Sequence, residues 1–311
     1  MTIEPAPPFR TFLAWTQDEF GSPLHRVALD AGSQCPNRDG TKGFGGCVYC
    51  DVEGSGSGEL RRGTDLAEQL RSGVARVARR GRPGPVVAYF QSFSNTYVAS
   101  ERLEEVLRVV EPYLGRDVVA LSVATRPDTL PESALDVLER WNKRLPVWVE
   151  LGLEVADDAL LVDINRLHTV DDFFDAVRRA KARALLVVGH AILGLPGDGR
   201  AGAQRTAHAL ARSRVDGVKV HQLMVLKRTV LEKRWKQGQV ATLSIDEYVG
   251  WLADFVERLR PDQVLHRLAG DAQRSELLAP DWSVQGNGVR DKLAAELTRR
   301  GTKQGALCVA P

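Results

Sequence analysis

The sequence predicts an α/β fold on a parallel sheet, and three observations carry that expectation. Between residues 25 and 236 a strand-like apolar run is followed by a helical pattern six times over. The strand-like runs are continuously apolar rather than alternating, as expected when helices cover both faces of a parallel sheet. The composition is that of an ordinary globular chain, with 311 residues, 43% apolar and 26% charged. Such a chain buries most of its apolar surface without disulfides.

HRVALDA (25–31) is strand-like and runs into a loop rich in Gly and Cys. Thr64 is placed to cap a helix through Arg80, with Leu66, Leu70, Val74 and Val77 on one stripe. GRPGP (81–85) ends it. VVAYFQ (86–91) is a buried-type strand, ERLEEVLRVVEPYL (101–114) an amphipathic helix, and DVVALSV (117–123) a strand. PESALDVLERW (131–141) is a helix with proline at its start. PVWVELGL (146–153), LLVVGHAIL (185–193) and GVKVHQLMVL (217–226) are further strands, with helices at 171–182 and 202–213 between them. After residue 240 the rhythm changes. IDEYVGWLADFVERL (245–259) is a strong helix, DQVLHRLAG (262–270) a candidate seventh strand, and 288–300 a last helix. Six units suit an open doubly wound sheet or a partial barrel, and periodicity does not choose between them. The expected division is an N-terminal segment (1–22), a core (23–240) and a C-terminal extension packed on the core (241–311). GSGSG (54–58) reads as a flexible loop.

The balance of 42 Lys plus Arg against 40 Asp plus Glu gives a net charge of +2. A nucleic-acid partner therefore cannot be argued from overall charge. No apolar run nears the ~18 residues of a bilayer span. The opening MTIEPAPPFR lacks the basic-then-apolar pattern of a secretory signal, so a cytoplasmic protein with no membrane attachment is expected. Two stretches are locally basic: 61–82, with seven Arg against Asp65 and Glu68, and 219–236, with six cations against Glu232, each +5. Such faces can meet phosphates or simply be solvated. No Ser–His–Asp order and no phosphate loop supports hydrolase or kinase chemistry.

Cys35, Cys47 and Cys50 form a C-x11-C-x2-C set, and Cys308 stands apart. In a reducing compartment, clustered thiols hold metal more often than they form disulfides. Three readings are open. The thiols can be unligated, although Arg38, Lys42, Gly43, Gly45 and Gly46 make a loop that buries poorly. They can hold zinc, which needs a fourth ligand with only His25 or Cys308 in view. They can hold an iron–sulfur cluster on three thiolates, which leaves one iron open to a further ligand.

At SQCPNRDGTKGFGGCVYC (33–50) the chain resembles the cluster loop of the radical S-adenosylmethionine (SAM) superfamily, in the YhcC/YtqA-like subfamily related to the catalytic subunit of Elongator. YFQSFSNTY (89–97), LSVATRPDTLP (121–131), VELGLE (149–154), INRLH (164–168), HAILGLPG (190–197), DGVKVHQLMVLKRTVLE (216–232) and LAGDAQRSELLAP (268–280) resemble it in the same order. The resemblance implies an α/β partial (β/α)6 barrel of the radical SAM type with a C-terminal α/β extension. It implies a [4Fe–4S] cluster on Cys35, Cys47 and Cys50, with SAM on the fourth iron. It also implies reductive cleavage of SAM to a 5′-deoxyadenosyl radical and a reductant such as flavodoxin or ferredoxin. The implied substrate is tRNA, with chemistry on a wobble-uridine side chain. Radical chemistry on a protein or small metabolite, and a non-catalytic zinc-binding regulatory role, are the alternatives.

The resemblance places cofactor contacts at the strand ends. Gln91 and Ser92 follow the second strand, where the superfamily often has a GGE-type motif for the SAM amino group. Thr125 and Arg126 follow the third strand. Glu150 on the fourth points toward the ribose hydroxyls, Ile192 and Gly194 on the fifth toward adenine, and His221 on the sixth toward the substrate side. Arg126, whose guanidinium suits a carboxylate or a phosphate, and His221 are the candidate catalytic residues. Asn37, Arg38 and Lys42 are placed to surround a cluster of net negative charge. Two departures stand out. LGLEVAD replaces the subfamily's LGLQS, so Glu154 and Val155 stand where Gln and a small polar residue are usual. INRLH replaces INRGH.

Overall fold

The computed structural model describes residues 7–50, 63, 65–79, 84–284 and 286–309. Six strands form a run of parallel neighbours: β1 (His25–Leu29), β2 (Val86–Phe90), β3 (Val118–Thr125), β4 (Val147–Glu154), β5 (Leu186–Leu193) and β6 (Gly217–Gln222). A two-residue β7 (Val225–Leu226) leaves this sheet, and β8 (Val264–Arg267) joins it beside β6 as a seventh parallel strand. A short β9 (Leu277–Ala279) pairs antiparallel with β7. The seven-stranded sheet curls into a half-barrel with helices outside. In chain order the helices are α1 (Phe12–Phe20), which lies at the end of the half-barrel, α2 (Leu66–Arg79), α3 (Ser100–Leu107), α4 (Glu132–Asn142), α5 (Asp158–Asp163), α6 (Val170–Ala182), α7 (Gly199–Arg212), α8 (Val230–Lys236), α9 (Ile245–Arg258) and α10 (Val289–Arg299).

Strand alternation explains the two faces of the sheet. Val27, Leu29, Phe90, Val123, Leu151 and Val220 face outward into the main core beneath the helices. On the concave side Val87, Ala120, Trp148, Val188 and Val264 form a second apolar layer with Phe12 of α1 and Leu24. Helix α1 thus plugs the N-terminal end of the half-barrel, where Trp15 meets Trp148 and Phe20 edge-on and Phe20 packs at a tilt on Trp148. Above that plug the concave face is polar. Helix starts follow local chemistry: Thr169 and Ser244 each close a capping box at the start of α6 and α9.

Differences from the sequence expectation have local causes. The helix expected over 101–114 stops at Leu107 and tightens into a 3₁₀ turn (Arg108–Tyr113), because Pro112 cannot continue an α-helical ladder. The strand expected over 217–226 ends at Gln222. There the Gln222 side chain bonds Gly270 and Ser283, and Val225–Leu226 pairs with β9 instead. The N-terminal segment is built into the sheet: Leu265 N–H donates to the Arg10 carbonyl at 2.8 Å. The expected cap Thr64, the helix end Arg80 and the GSGSG stretch lie outside the described residues.

Candidate active site

The cysteine loop follows β1, so it crosses the C-terminal ends of the strands, where β/α folds place their sites. Backbone bonds give it a defined shape. Arg38 N–H and Asp39 N–H donate to the Cys35 carbonyl at 2.9 and 3.3 Å, Gly46 N–H to Asn37 at 2.9 Å, and Cys50 N–H to Cys47 at 2.9 Å. Gly45 and Gly46 sit at φ of 77° and 79°, which L side chains rarely adopt. The INRLH segment clamps this loop from outside. Val48 N–H donates to the Ile164 carbonyl at 3.0 Å. Asn165 Nδ2 donates to the carbonyls of Phe44 and Gly46 at 3.1 and 2.7 Å, and Asn37 Nδ2 returns a bond to the Arg166 carbonyl at 3.1 Å. Phe93, Glu154, Asn165 and Leu167, all bordering this region, hold positive φ. Concentrated backbone strain of this kind marks functional sites. Leu167 occupies the left-handed position that the subfamily usually gives to glycine.

Cys35 and Cys47 are buried and Cys50 is half-buried. Two of the sulfurs meet side-chain donors: Asn37 Nδ2 and Arg166 Nη1 each lie 3.9 Å from Cys47 Sγ, and Arg38 Nη2 lies 3.4 Å from Cys50 Sγ. Among the described residues no three His, Cys, Asp or Glu side chains converge tightly enough for one metal ion. A cluster spreads its thiolates over several irons and needs no such convergence. The zinc reading also loses one of its two proposed fourth ligands, His25. His25 starts β1 while the cysteines follow its end, a separation of about 13 Å along the strand.

Around the thiolates lie buried polar atoms with no hydrogen-bond partner among the described residues: Asn37 Oδ1, Tyr49 OH, Ser92 Oγ, Ser94 Oγ, Arg126 Nη1, Arg166 Nε and both nitrogens of His168. Buried polar groups are normally paired, so this concentration fits a region that receives a polar, zwitterionic ligand. Burial first, then the charges of Arg166 and Arg126, push the His168 imidazole down to about 2, so the ring is neutral. Gln91 is half-buried just beyond β2, and its N–H donates to Leu29 at 3.1 Å. Thr125 Oγ1 is spent inside its own turn, 2.6 Å from Thr96 Oγ1 and 3.1 Å from Thr129 Oγ1.

Arg126 is 1% exposed and holds Asp128 with two bonds of 2.9 and 2.8 Å, while its Nη2 also donates to the Arg166 carbonyl at 2.7 Å. Only Nη1 remains to meet a ligand. Burial works against the Asp128 charge, but Arg126 and then Lys42 outweigh it and hold the carboxyl at about 2. A depressed carboxyl contributes stability above its unfolded value near ~4 and loses it as pH falls toward 2. Asp128→Asn should therefore abolish an acid-labile increment of about 2 kcal/mol. Denaturant unfolding at pH 6 against pH 3 reads it, and equal pH slopes in the two proteins would refute the assignment.

A second group lies deeper on the concave face. Glu150 Oε1 accepts from Ser122 Oγ at 2.5 Å, while Oε2 pairs with Lys219 Nζ and lies 2.8 Å from His190 Nε2. Lys219 Nζ also stands 3.9 Å from the centre of the Tyr89 ring. Burial, aided by Arg26 and Arg267 and opposed by Glu150, brings the Lys219 ammonium down to about 7. The rings of His190 and His221 are 6.2 Å apart. Burial and then Arg267 hold the His221 imidazole well below its usual range. The Glu150 carboxylate is thus already engaged by three protein groups.

Ile192 packs with Val48, Ile164 and Leu223. Gly194 adopts φ of 90°, where a Cβ would press Leu243 at 3.2 Å. Cys308 lies apart near the C-terminus. The residues missed by sequence reasoning are Arg166, Asn165, Tyr49, His190 and Lys219. A period-2 reading of β5 and β6 would have placed His190, Lys219 and His221 on one face with Glu150.

The basic stretch 219–236 is largely neutralised: Lys219 pairs with Glu150, Arg228 with Glu276 at 2.7 Å, Arg234 with Asp163 at 2.9 Å, and Lys236 with Glu232 at 2.7 Å. Four arginines of the other stretch (61, 62, 80 and 82) lie outside the described residues. Among the described residues no helix is long and apolar enough to cross a membrane.

A curled parallel half-barrel with three cysteines on the loop after its first strand and unpaired polar atoms beside them defines a radical SAM protein. Comparison with known families agrees. The radical SAM superfamily profile matches residues 35–210 and a radical SAM C-terminal domain matches residues 215–299. The chain belongs to the radical SAM superfamily and is an enzyme of that class. It is 37% identical over 289 residues to YtqA of Bacillus subtilis, covering 93% of this chain and 89% of the relative. It is 28% identical over 177 residues to the tRNA uridine(34) acetyltransferase of Dehalococcoides mccartyi, covering 56% of this chain and 38% of the relative. The archaeal Methanocaldococcus infernus Elp3 structure superposes with a TM-score of 0.71 at 17% identity, covering 90% of this chain and 64% of that one. This last likeness is one of fold.

Proposed function

We propose that Cys35, Cys47 and Cys50 hold a [4Fe–4S] cluster, that SAM binds beside it at the strand ends, and that the enzyme modifies the wobble-uridine side chain of tRNA in the cytoplasm. The observation that supports the cofactors most is the set of unpaired buried polar atoms around three cysteines, two of which meet side-chain donors. Bound there, the cluster and SAM would supply one-electron cleavage of the SAM carbon–sulfur bond and abstraction of a substrate hydrogen atom. The protein's own residues do the rest. Arg38 and Arg166 offset the negative charge of the thiolates. Arg126 Nη1 and the Ser92 and Ser94 hydroxyls are available to the amino and carboxylate groups of SAM. Gly194 lets backbone approach adenine. A flavodoxin or ferredoxin would deliver the electron at the cysteine-loop face.

The tRNA part rests on the relative named a tRNA uridine(34) acetyltransferase. Mass spectrometry of tRNA nucleosides from a deletion strain tests it: one modified wobble uridine should disappear or be replaced by a precursor, and plasmid-borne enzyme should restore it. An unchanged profile would overturn the tRNA reading. A small metabolite or protein substrate is the second reading, favoured by the internal pairing of the cations of 219–236. An unchanged nucleoside profile with intact SAM cleavage decides for it.

A further inference from the structure

The floor of the half-barrel carries more positive than negative charge. Glu150 is its carboxylate, and Lys219, His190 and Ser122 already engage it. Arg26 is left unmatched. Alternation on β1 sends Val27 and Leu29 outward into the main core, so Arg26 faces the concave side. Its guanidinium carbon lies 3.8 Å from the centre of the Phe12 ring, on top of the plug. Its Nη2 reaches His266 Nδ1 at 2.6 Å. A guanidinium only donates, so Nδ1 accepts. Burial and then the Arg26 charge hold the His266 imidazole well below its usual range, so that ring is neutral and supplies no counter-charge. Arg26 Nε is buried with no hydrogen-bond partner among the described residues. Burial lowers the pKa of this guanidinium, and Glu150 opposes the shift without cancelling it. An enclosed cation ordinarily has an anion beside it.

Arg267 adds a second cation from the other edge of the sheet. The β6–β8 register shifts at Val218/Lys219 and passes over His266, which sets Arg267 opposite Lys219. Its charge acts on Tyr89, Lys219 and His221. Arg267 is exposed and has no ion pair among the described residues. His190, bonded to Glu150, keeps 18% exposure, so this layer is open to the interior of the half-barrel.

We propose that the floor recognises one terminal carboxylate of the substrate, bound between Arg26 of β1 and Arg267 of β8, with the Glu150–Lys219 pair as a fixed wall beside it. Guanidinium groups match a carboxylate in its plane. The surplus enclosed against the plug is the single charge of Arg26, which a monoanion balances. A phosphodiester is also a monoanion, but its chain continues on both sides. The floor is closed beneath by Phe12, Leu24 and Trp148 and admits only a terminal group. The inference deepens the enzyme reading above by naming a group on its substrate, and rests on it. The carboxylate belongs either to a free acid or to a side chain of a larger substrate.

The test uses anaerobically reconstituted full-length protein, with iron and sulfide quantified first. Calorimetric titration at fixed ionic strength compares acetate, acetamide and dimethyl phosphate. Acetate should bind, its uncharged isostere acetamide should not, and dimethyl phosphate should bind about tenfold more weakly or less. Arg26→Gln should weaken acetate about tenfold, as expected for one charge-assisted contact. Arg26→Lys, which keeps the charge but loses the fork, should weaken it less. Arg267→Gln lies at an exposed position, tests the second cation without disturbing the core, and should weaken acetate about threefold. Arg178→Gln, on the outer helix α6 and 72% exposed, should change nothing. Competition separates the two sources. Displacement of acetate by tRNA from a deletion strain, but not by a transcript without modified bases, supports a carboxylate on a larger substrate. Acetate binding that neither RNA displaces supports a free acid. Equal binding of acetate and acetamide, or wild-type acetate affinity in both Arg26→Lys and Arg267→Gln, would overturn the proposal. A wild-type protein that takes up no cluster would instead overturn the cofactor assignment, and with it the claim that this carboxylate belongs to a substrate.

Discussion

Cys47→Ala is expected to reduce SAM cleavage to background. Cys47 is buried and meets two side-chain donors. Asn37 Nδ2 and Arg166 Nη1 both point at its sulfur, and the Val48–Ile164 backbone bond fixes the residue that follows it. Two thiolates cannot hold a four-iron cluster with one iron left for SAM, so the loss should be of cluster, not of folding. A buried Cys-to-Ala change removes one small side chain and costs about 1 kcal/mol. Iron and sulfide content after anaerobic reconstitution, 5′-deoxyadenosine formation after reduction, and the thermal midpoint separate these contributions. Full cluster content and undiminished 5′-deoxyadenosine in the variant would show that these cysteines do not carry the chemistry.

The second large effect concerns stability. Near pH 6, where the Lys219 ammonium is charged, Lys219→Met leaves Glu150 buried with one cationic partner removed and is expected to cost about 3–5 kcal/mol. The Glu150→Gln/Lys219→Met double variant should recover most of that loss, since a neutral pair carries no desolvated charge. The pH dependence has a definite sign. Lys219 is lowered to about 7 in the folded protein, whereas the unfolded chain keeps that proton to about 10.4. Between these values the unfolded state binds more protons, so this group adds stability as pH rises from about 7 to about 10. Urea midpoints at pH 6.5, 8 and 9.5 should climb in the wild type relative to Lys219→Met. Parallel curves would show that Lys219 stays charged in the fold.

The fold was largely legible because the central strands β2, β3 and β4 are buried on both faces and so read as nearly unbroken apolar runs. β8 was visible in DQVLHRLAG by its short apolar start, although His266 and Arg267 at its end are not fully buried. What periodicity missed was short or driven by tertiary contacts. Helix α1 exists because Phe12, Trp15 and Phe20 have Trp148 to cover. The pair β7–β9 exists because Gln222 ties the end of β6 to Gly270 and Ser283. The cysteines were legible by spacing and the strand-end residues by resemblance. Arg166 was not, because it lies 116 positions beyond Cys50 in sequence and reaches the thiolate only through the clamp made by Asn165 and the Arg166 carbonyl. The Glu150–Lys219–His190 group was half legible: a carboxylate on a buried strand calls for a partner, but the partners sit on strands that only the sheet order brings together.

The plug formed by α1 makes the half-barrel a cup rather than a tube. Its base is sealed by Phe12, Leu24 and Trp148, and its unclosed side is bridged low down by the contact of 2.6 Å between Arg26 Nη2 and His266 Nδ1. The rim that bears the cysteines is thus the doorway to the Glu150–Lys219 floor. Traffic follows from that shape. If SAM sits at that rim as proposed, SAM and any substrate reaching for the floor would share one entrance.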